Sequence, residues 1–368
     1  MKAKLKSWTW QSATVLAVAV CVWWFAHNLS ANLAARGMEV DFGFLWQRAG
    51  FDIPFKLVDW DGSYPYGAAL YVSGLNTLLA SALIIVVATL LGLLLALMRL
   101  SGNPLAAGTS RGIVEVVRNT PQLTQIVFFY LAVLQVLPPM RQSISWFGGA
   151  FLNVRGLYVP APSGVAYGAI LGGTCAVVLV AAVFWRRLGW QQVPRLAVLP
   201  PVLLVGAMLA GFTAQWEFPA LTGFNFTGGL RVPPELLALV LGIGIYTSVF
   251  IAEIIRAAIE GIHRGQNEAA RSLGLSPNQA MFLVVLPQAL RILIPPLTSQ
   301  YLNIIKSTTL GAAIAYPEVL QIFARTVLNQ SGRAVEVMTL VLGVFLVVNL
   351  LTSAGMNAWN RRLTLQGR

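Results

Sequence analysis

Long apolar stretches separated by short polar ones run along the whole chain. Each holds about 17–25 residues, enough as a helix to cross the roughly 30 Å of a bilayer's hydrocarbon. The pattern predicts eight spans, at residues 12–33, 74–97, 121–137, 166–185, 196–212, 236–255, 290–314 and 335–359. In hydrocarbon the backbone must satisfy its own polar groups, so each span is expected as an α-helix. The fold class is therefore an all-α polytopic membrane protein with about eight transmembrane helices. Turn signals punctuate the connections: Gly228–Gly229 and Pro233–Pro234 in residues 213–234, and a Gly- and Pro-rich run over 138–165. Residues 34–71 carry Trp46, Asp52, Asp59, Trp60 and Asp61, and read as a cap outside the membrane with Trp46 and Trp60 at headgroup level. Gly168 and Gly172 form a G-x-x-x-G, which serves close helix approach or ordinary packing.

Composition excludes a soluble domain. Hydrophobic residues make up 57% of the 368 and charged ones 10%, with a mean hydropathy of +0.71. The net charge of +12 raises the question of nucleic acid, but its distribution answers otherwise. With the N-terminus in the cytoplasm, the inner segments hold Lys2, Lys4 and Lys6, then Arg99, Arg111 and Arg118, then Arg186, Arg187 and Arg195. They also hold Arg256, Arg264, Arg271 and Arg291, and finally Arg361, Arg362 and Arg368. Most of the 13 acids fall on the other side. This is the positive-inside asymmetry of a membrane protein with both termini cytoplasmic, and the basic residues set topology rather than bind nucleic acid. Cys21 and Cys175 lie in separate apolar spans and suit packing; His27 and His263 are too far apart to begin a zinc or haem site. Residues 2–33 read as a retained anchor, because Trp23, Trp24 and the run to Leu33 outlast a signal-peptide core; a cleaved signal peptide is the competing reading.

Residues 256–291 form a polar island between two spans. Gly261 and Gly265 are expected to break the preceding helix. Asn267 is the expected N-cap of a short helix over 267–273, with Glu268 in its first turn and Gly274 as its terminator. Ala269 and Ala270 are small enough for close approach to a partner's groove, Leu273 shares the face of Ala269, and Glu268 and Arg271 stand three apart, in reach of each other or of a partner. Ser276-Pro277-Asn278-Gln279 then spells a capping box that starts a second helix through Leu286-Pro287. Good caps alone fit an ordinary loop as well as a lever.

The string Glu268-Ala269-Ala270-Arg271-Ser272-Leu273-Gly274, with Leu286-Pro287 beyond it, resembles the EAA signature of permease subunits of bacterial ABC importers, in its polar amino-acid branch. Gly74-Leu75-Asn76-Thr77-Leu78, Arg118-Asn119-Thr120-Pro121 and Lys306-Ser307-Thr308-Thr309-Leu310 followed by Pro317-Glu318 are similar to further stretches of that family's five-helix core. Val284 and Ser307 depart from its usual Ile and Asp or Asn. The extra first span and the insertion resemble the long, general L-amino-acid permeases. The resemblance implies a division into an anchor and periplasmic loop (1–70), a first part of the core (71–137), an inserted loop with two spans (138–235) and the rest of the core (236–368). It also implies that Glu268, Ala269, Ala270, Arg271, Leu273 and Gly274 dock on a separate ATP-binding dimer. The implied partners include a second, related permease and a periplasmic amino-acid-binding protein, with ATP held by the partner and no cofactor or metal on this chain.

Ionisable and polar groups within or beside spans are the candidates for a translocation path: Asn119, Thr120, Gln122, Glu253, Lys306 and Thr308, of which Asn119, Thr120 and Gln122 serve either to gate or merely to cap the third span. Lys306 is placed to meet an amino-acid carboxylate or to snorkel. Glu253 is placed to attract an ammonium group or to pair with Arg256. Pro295–Pro296 is expected to break its span and free backbone carbonyls. The rival function is a secondary transporter or channel for a small polar solute, which needs coupling acids near the midplane, where Glu253 stands alone. No G-x-x-x-x-G-K-[S/T] occurs, since Lys306-Ser307 follows Ile305, and no nucleophile–base set suggests an enzyme.

Overall fold

Helix length follows the apolar runs in the computed structural model, which describes residues 2–35, 40–146, 149–162, 216–223 and 225–365. The helices are α1 (Lys2–Ala35), α2 (Tyr66–Leu100), α3 (Pro104–Arg118), α4 (Gln122–Val136), α5 (Pro234–Glu260), α6 (Arg264–Ser272), α7 (Pro277–Ala280), α8 (Leu286–Ser307), α9 (Leu328–Ser331) and α10 (Ala334–Leu365). Five helical stretches are long and apolar enough to cross a membrane: Trp10–Asn32, Tyr66–Leu100, Pro234–Glu260, Pro277–Ile314 and Ala334–Asn357. Gln122–Val136 is a shorter apolar helix. Six of the expected spans thus have helical counterparts. The expected spans at 166–185 and 196–212, with Gly168 and Gly172, lie outside the described residues.

α2 and α5 form the axis of the bundle, with α4 and α8 packed on α5 and α10 packed on α8. Their core is aliphatic: Ile84, Ala88, Ile126, Leu239, Ile243 and Ile251 are buried. Backbone approach is close where α5 meets α4. A Cβ on Gly242 would lie 2.8 Å from Ile126 Cα, so no larger residue fits without separating the helices. A polar contact joins α2 to α8, with Thr89 Oγ1 3.0 Å from Tyr301 Oη.

A second core caps the Tyr66 end, built from Phe44, Ile53, Trp60, Phe323 and Val337. The cap expected for this region is present, but Trp60 is not a headgroup anchor. It is buried, and its indole N–H donates to Phe51 O at 3.3 Å. Trp46 is 85% exposed, as a headgroup residue would be. Packing of this cap explains why α2 starts at Tyr66, before the apolar run itself.

The connections around the insertion form short strands as well as turns. Strands β1 (Ile144–Trp146), β2 (Ala150–Asn153), β3 (Gly156–Val159) and β8 (Leu230–Val232) make an antiparallel sheet in the order β1-β2-β3-β8, with Leu157 opposite Val232. β4 (Ala161–Pro162) pairs with β5 (Trp216–Glu217), and β6 (Ala220–Thr222) with β7 (Asn225–Thr227). These strands sit at the ends of α4 and α5, opposite the end that carries α6.

Irregular winding brackets α8. Residues Met281–Val285 form a π-turn, in which the Leu286 N–H bonds to Met281 O. Pro287 has no N–H for Leu283 O, and the wider turn absorbs that loss. The expected break at Pro295–Pro296 is absent: α8 runs through both prolines. Such pairs are tolerated inside membrane helices when neighbours support the backbone. After α8 the chain tightens into a 3-10 helix at Thr308–Ile314, turns at Ala315 and continues as a π-helix at Gln321–Val327. Ala315 has φ 60°, a left-handed conformation that costs a non-glycine roughly 1–2 kcal/mol.

Candidate functional site

The polar island folds as a short helix held at both ends. α6 begins one turn earlier than the sequence suggests. His263 is its N-cap, with Nδ1 accepting the Gly265 N–H at 3.2 Å, so Gly265 lies inside the first turn instead of breaking the chain. Asn267 is an interior residue, and Glu268 sits in the second turn, away from the helix N-terminus. The C-terminus matches expectation. Gly274 has φ +78°, its N–H donates to Arg271 O at 2.9 Å, and the Leu275 N–H donates to Ala270 O at 3.1 Å. That pair of bonds is a Schellman closure, which needs the left-handed residue glycine supplies. The capping box forms as expected: Ser276 Oγ accepts the Gln279 N–H, and Gln279 Oε1 accepts the Ser276 N–H at 2.9 Å.

The two alanines divide their work. Ala270 is buried against its own subunit, so it anchors α6 and is not available to a partner. Ala269, Glu268 and Arg271 face solvent, and Leu273 is 81% exposed. Glu268 and Arg271 make no ion pair among the described residues. Gln288 Nε2 donates to Gln266 Oε1 at 3.2 Å and so ties α6 to the start of α8.

Midway along α5 a cavity of about 320 Å³ opens between α4, α5 and α8. Gln122 lines it from α4, Tyr246, Thr247 and Phe250 from α5, and Gln300, Asn303, Lys306 and Ser307 from α8. Ser307 Oγ donates to Gln122 Oε1 at 3.3 Å and bridges α8 to α4 across it. Lys306 is exposed to this space and has no ion pair among the described residues. The lining offers one ammonium, three amides and several hydroxyls beside two aromatic rings, a set suited to a small polar zwitterion.

Chain comparison fits this arrangement. The model of the family described as binding-protein-dependent transport system inner membrane component matches residues 88–365. The chain belongs to that family. Among curated relatives of this transport component, it is 45% identical to the putative amino-acid ABC transporter permease protein YhdX of Escherichia coli (strain K12), over 99% of this chain and 95% of the relative. It is 40% identical to the general L-amino acid transport system permease protein AapQ of Rhizobium johnstonii, over 99% and 94%. It is 32% identical to the glutamate/glutamine/aspartate/asparagine transport system permease protein BztB of Rhodobacter capsulatus, over 99% and 95%.

Of the path residues named from sequence, the transport component brings Gln122 and Lys306 together at the cavity and leaves the others elsewhere. Asn119 Nδ2 donates to Glu115 O and Thr120 Oγ1 to Val116 O, so both close the end of α3. Thr308 is buried, with its hydroxyl on Ile305 O at 2.7 Å. Glu253 is not free to attract an ammonium group: it pairs with Arg99 of α2 at 2.6 Å and with Arg256 at 2.9 Å, and Arg256 also pairs with Glu260. The Arg256 pairing was legible as i,i+3 spacing; the Arg99 pairing joins two helices distant in sequence. Tyr246, Thr247, Gln300 and Asn303 were missed because polar residues scattered in apolar spans give no local signal.

Proposed function

We propose that this chain is the permease subunit of an ATP-driven amino-acid importer in a bacterial inner membrane, with both termini cytoplasmic. Nucleotide is bound and hydrolysed on a separate ATP-binding dimer, and this chain holds no nucleotide site of its own. A related second permease completes the path, and a periplasmic amino-acid-binding protein delivers substrate. The division at residues 70, 137 and 235 belongs to the same reading. The observation that carries it is α6, a short helix anchored on one face by Ala270 that presents Ala269 and Leu273 outward. An exposed leucine on a well-capped helix suits a groove on another protein. Because α6 is tied through Gln288 to α8, and α8 lines the cavity, movement of α6 reaches the cavity wall. In this mechanism Lys306 meets the substrate carboxylate, and Gln122 is its neighbour across the bridge.

The test is co-purification of the ATP-binding partner and amino-acid uptake with Leu273→Asp. Loss of both supports the reading. Uphill accumulation by this chain alone in vesicles without nucleotide overturns it and favours a secondary transporter. Pairing of Glu253 with two arginines already deprives that alternative of its expected coupling acid.

A further inference from the structure

The end of the bundle opposite α6 holds a buried acid that neither coupling nor the cavity uses. Glu318 is fully buried between Tyr316 and the π-helix at Gln321–Val327. Its Oε2 accepts the Leu320 N–H at 2.8 Å and its Oε1 the Gln321 N–H at 2.6 Å. No cationic side chain pairs with it among the described residues. Arg325 donates to Ala312 O at 3.2 Å, Lys306 faces the cavity, and the Tyr316 hydroxyl donates to Asn76 O at 2.9 Å. From α2 the facing residues are uncharged Asn76 and Thr77, and the cap contributes the Phe55 carbonyl.

The surroundings are short of donors. Asn76 Nδ2 donates to Phe55 O at 2.8 Å and Pro317 O at 2.9 Å. Both partners are carbonyls, which fixes the amide orientation and leaves Asn76 Oδ1 buried without a partner. Gln321 Oε1 is buried and unpartnered as well. An ionised Glu318 buries a negative charge with no cation beside it, whereas a protonated one is neutral and carries a donor. Burial pushes the Glu318 carboxyl up to about 7, against the two backbone N–H bonds that pull it down.

The same residues staple the chain to α2. The Val319 N–H donates to Thr77 Oγ1 at 3.2 Å, so bonds at 316, 317 and 319 all end on Asn76 or Thr77. The staple lies between the left-handed turn at Ala315 and the π-helix, two points where the winding departs from α. We propose that Glu318 is a proton-linked latch: it is protonated while residues 315–321 are docked on α2 and Phe55, and undocking exposes the carboxyl and releases one proton to solvent. The latch stands whatever occupies the cavity.

Its sign follows from linkage. Docked, the carboxyl titrates near about 7; undocked, it returns to its ordinary 4.5. Protonation therefore favours docking. The advantage is complete below 4.5, falls roughly tenfold per pH unit between those values, and is gone above the upper one.

The test uses the whole transport complex in vesicles, with Cys21 and Cys175 replaced by Ala. A single cysteine is introduced by Val319→Cys, at a fully buried position, and its labelling rate is divided by that of an exposed reference, Leu221→Cys, at each pH. The ratio should rise more than ~10-fold from pH 5 to pH 7.5, and Glu318→Gln should remove that rise while leaving labelling at the acid level. A ratio that stays flat with Glu318 present overturns the latch, as does an unchanged rise in Glu318→Gln. If Glu318→Gln fails to insert, the pH dependence of the Val319→Cys ratio alone decides.

Discussion

The two ends of this bundle solve the same problem, holding a polar segment at a membrane helix terminus, in opposite ways. At the α6 end the helix-end devices are local: a His263 cap, a Schellman closure at Gly274 and a capping box at Ser276, all within a few residues and mostly exposed. At the Tyr66 end the devices are distant in sequence and buried: Asn76 to Pro317, Tyr316 to Asn76, Val319 to Thr77. The local design leaves one face of α6 exposed. The distant design fixes the segment to its own subunit, and its stability rests on hydrogen bonds sealed from water.

That contrast predicts which substitutions unfold the subunit and which merely disconnect it. The largest loss is expected from Asn76→Ala, which strands the Phe55 and Pro317 carbonyls. We expect about 3 kcal/mol, read as a lowered melting temperature of the purified complex. Gly242→Val follows closely at about 2–3 kcal/mol, because the side chain has no room beside Ile126; retained stability would mean that the α4–α5 contact is looser than drawn. Gly274→Ala should cost about 1–2 kcal/mol of helix-end stability but abolish partner-stimulated uptake, separating coupling from folding. Lys306→Ala should leave melting unchanged and cut amino-acid uptake at least ~10-fold if it meets the substrate carboxylate, since ionisable groups within membrane spans serve function more than stability. Ser276→Ala is the smallest at about 1 kcal/mol, with uptake nearly normal. Equal effects from Asn76→Ala and Ser276→Ala would erase the distinction between the two ends.

The same contrast explains what could be read from the chain. The apolar runs gave the described spans, and glycine and serine gave the end of α6 and the start of α7, because helix length and caps depend on neighbours in sequence. The start of α6 was misplaced by one turn: an imidazole cap at His263 is rarer than the Asn267 cap that composition favours. Burial of Ala270 but not Ala269, the Arg99–Glu253 pair and the cavity lining depend on how helices cross, which no local pattern encodes. The Pro295–Pro296 pair misled for the same reason, since proline breaks an isolated helix more readily than one supported by its neighbours. The strands at 144–162 and 216–232 are too short for alternation to stand out from turns.

The tight winding of Thr308–Ile314 has a mechanical corollary. Seven residues in a 3-10 helix reach about 14 Å, and the same seven in an α-helix reach about 10.5 Å. Rewinding the stretch between the cavity and Ala315 from 3-10 to α, a one-residue shift in hydrogen-bond partners, would therefore shorten it by about 3.5 Å. That contraction would be felt first at the adjoining end of α8, where Lys306 and Ser307 stand.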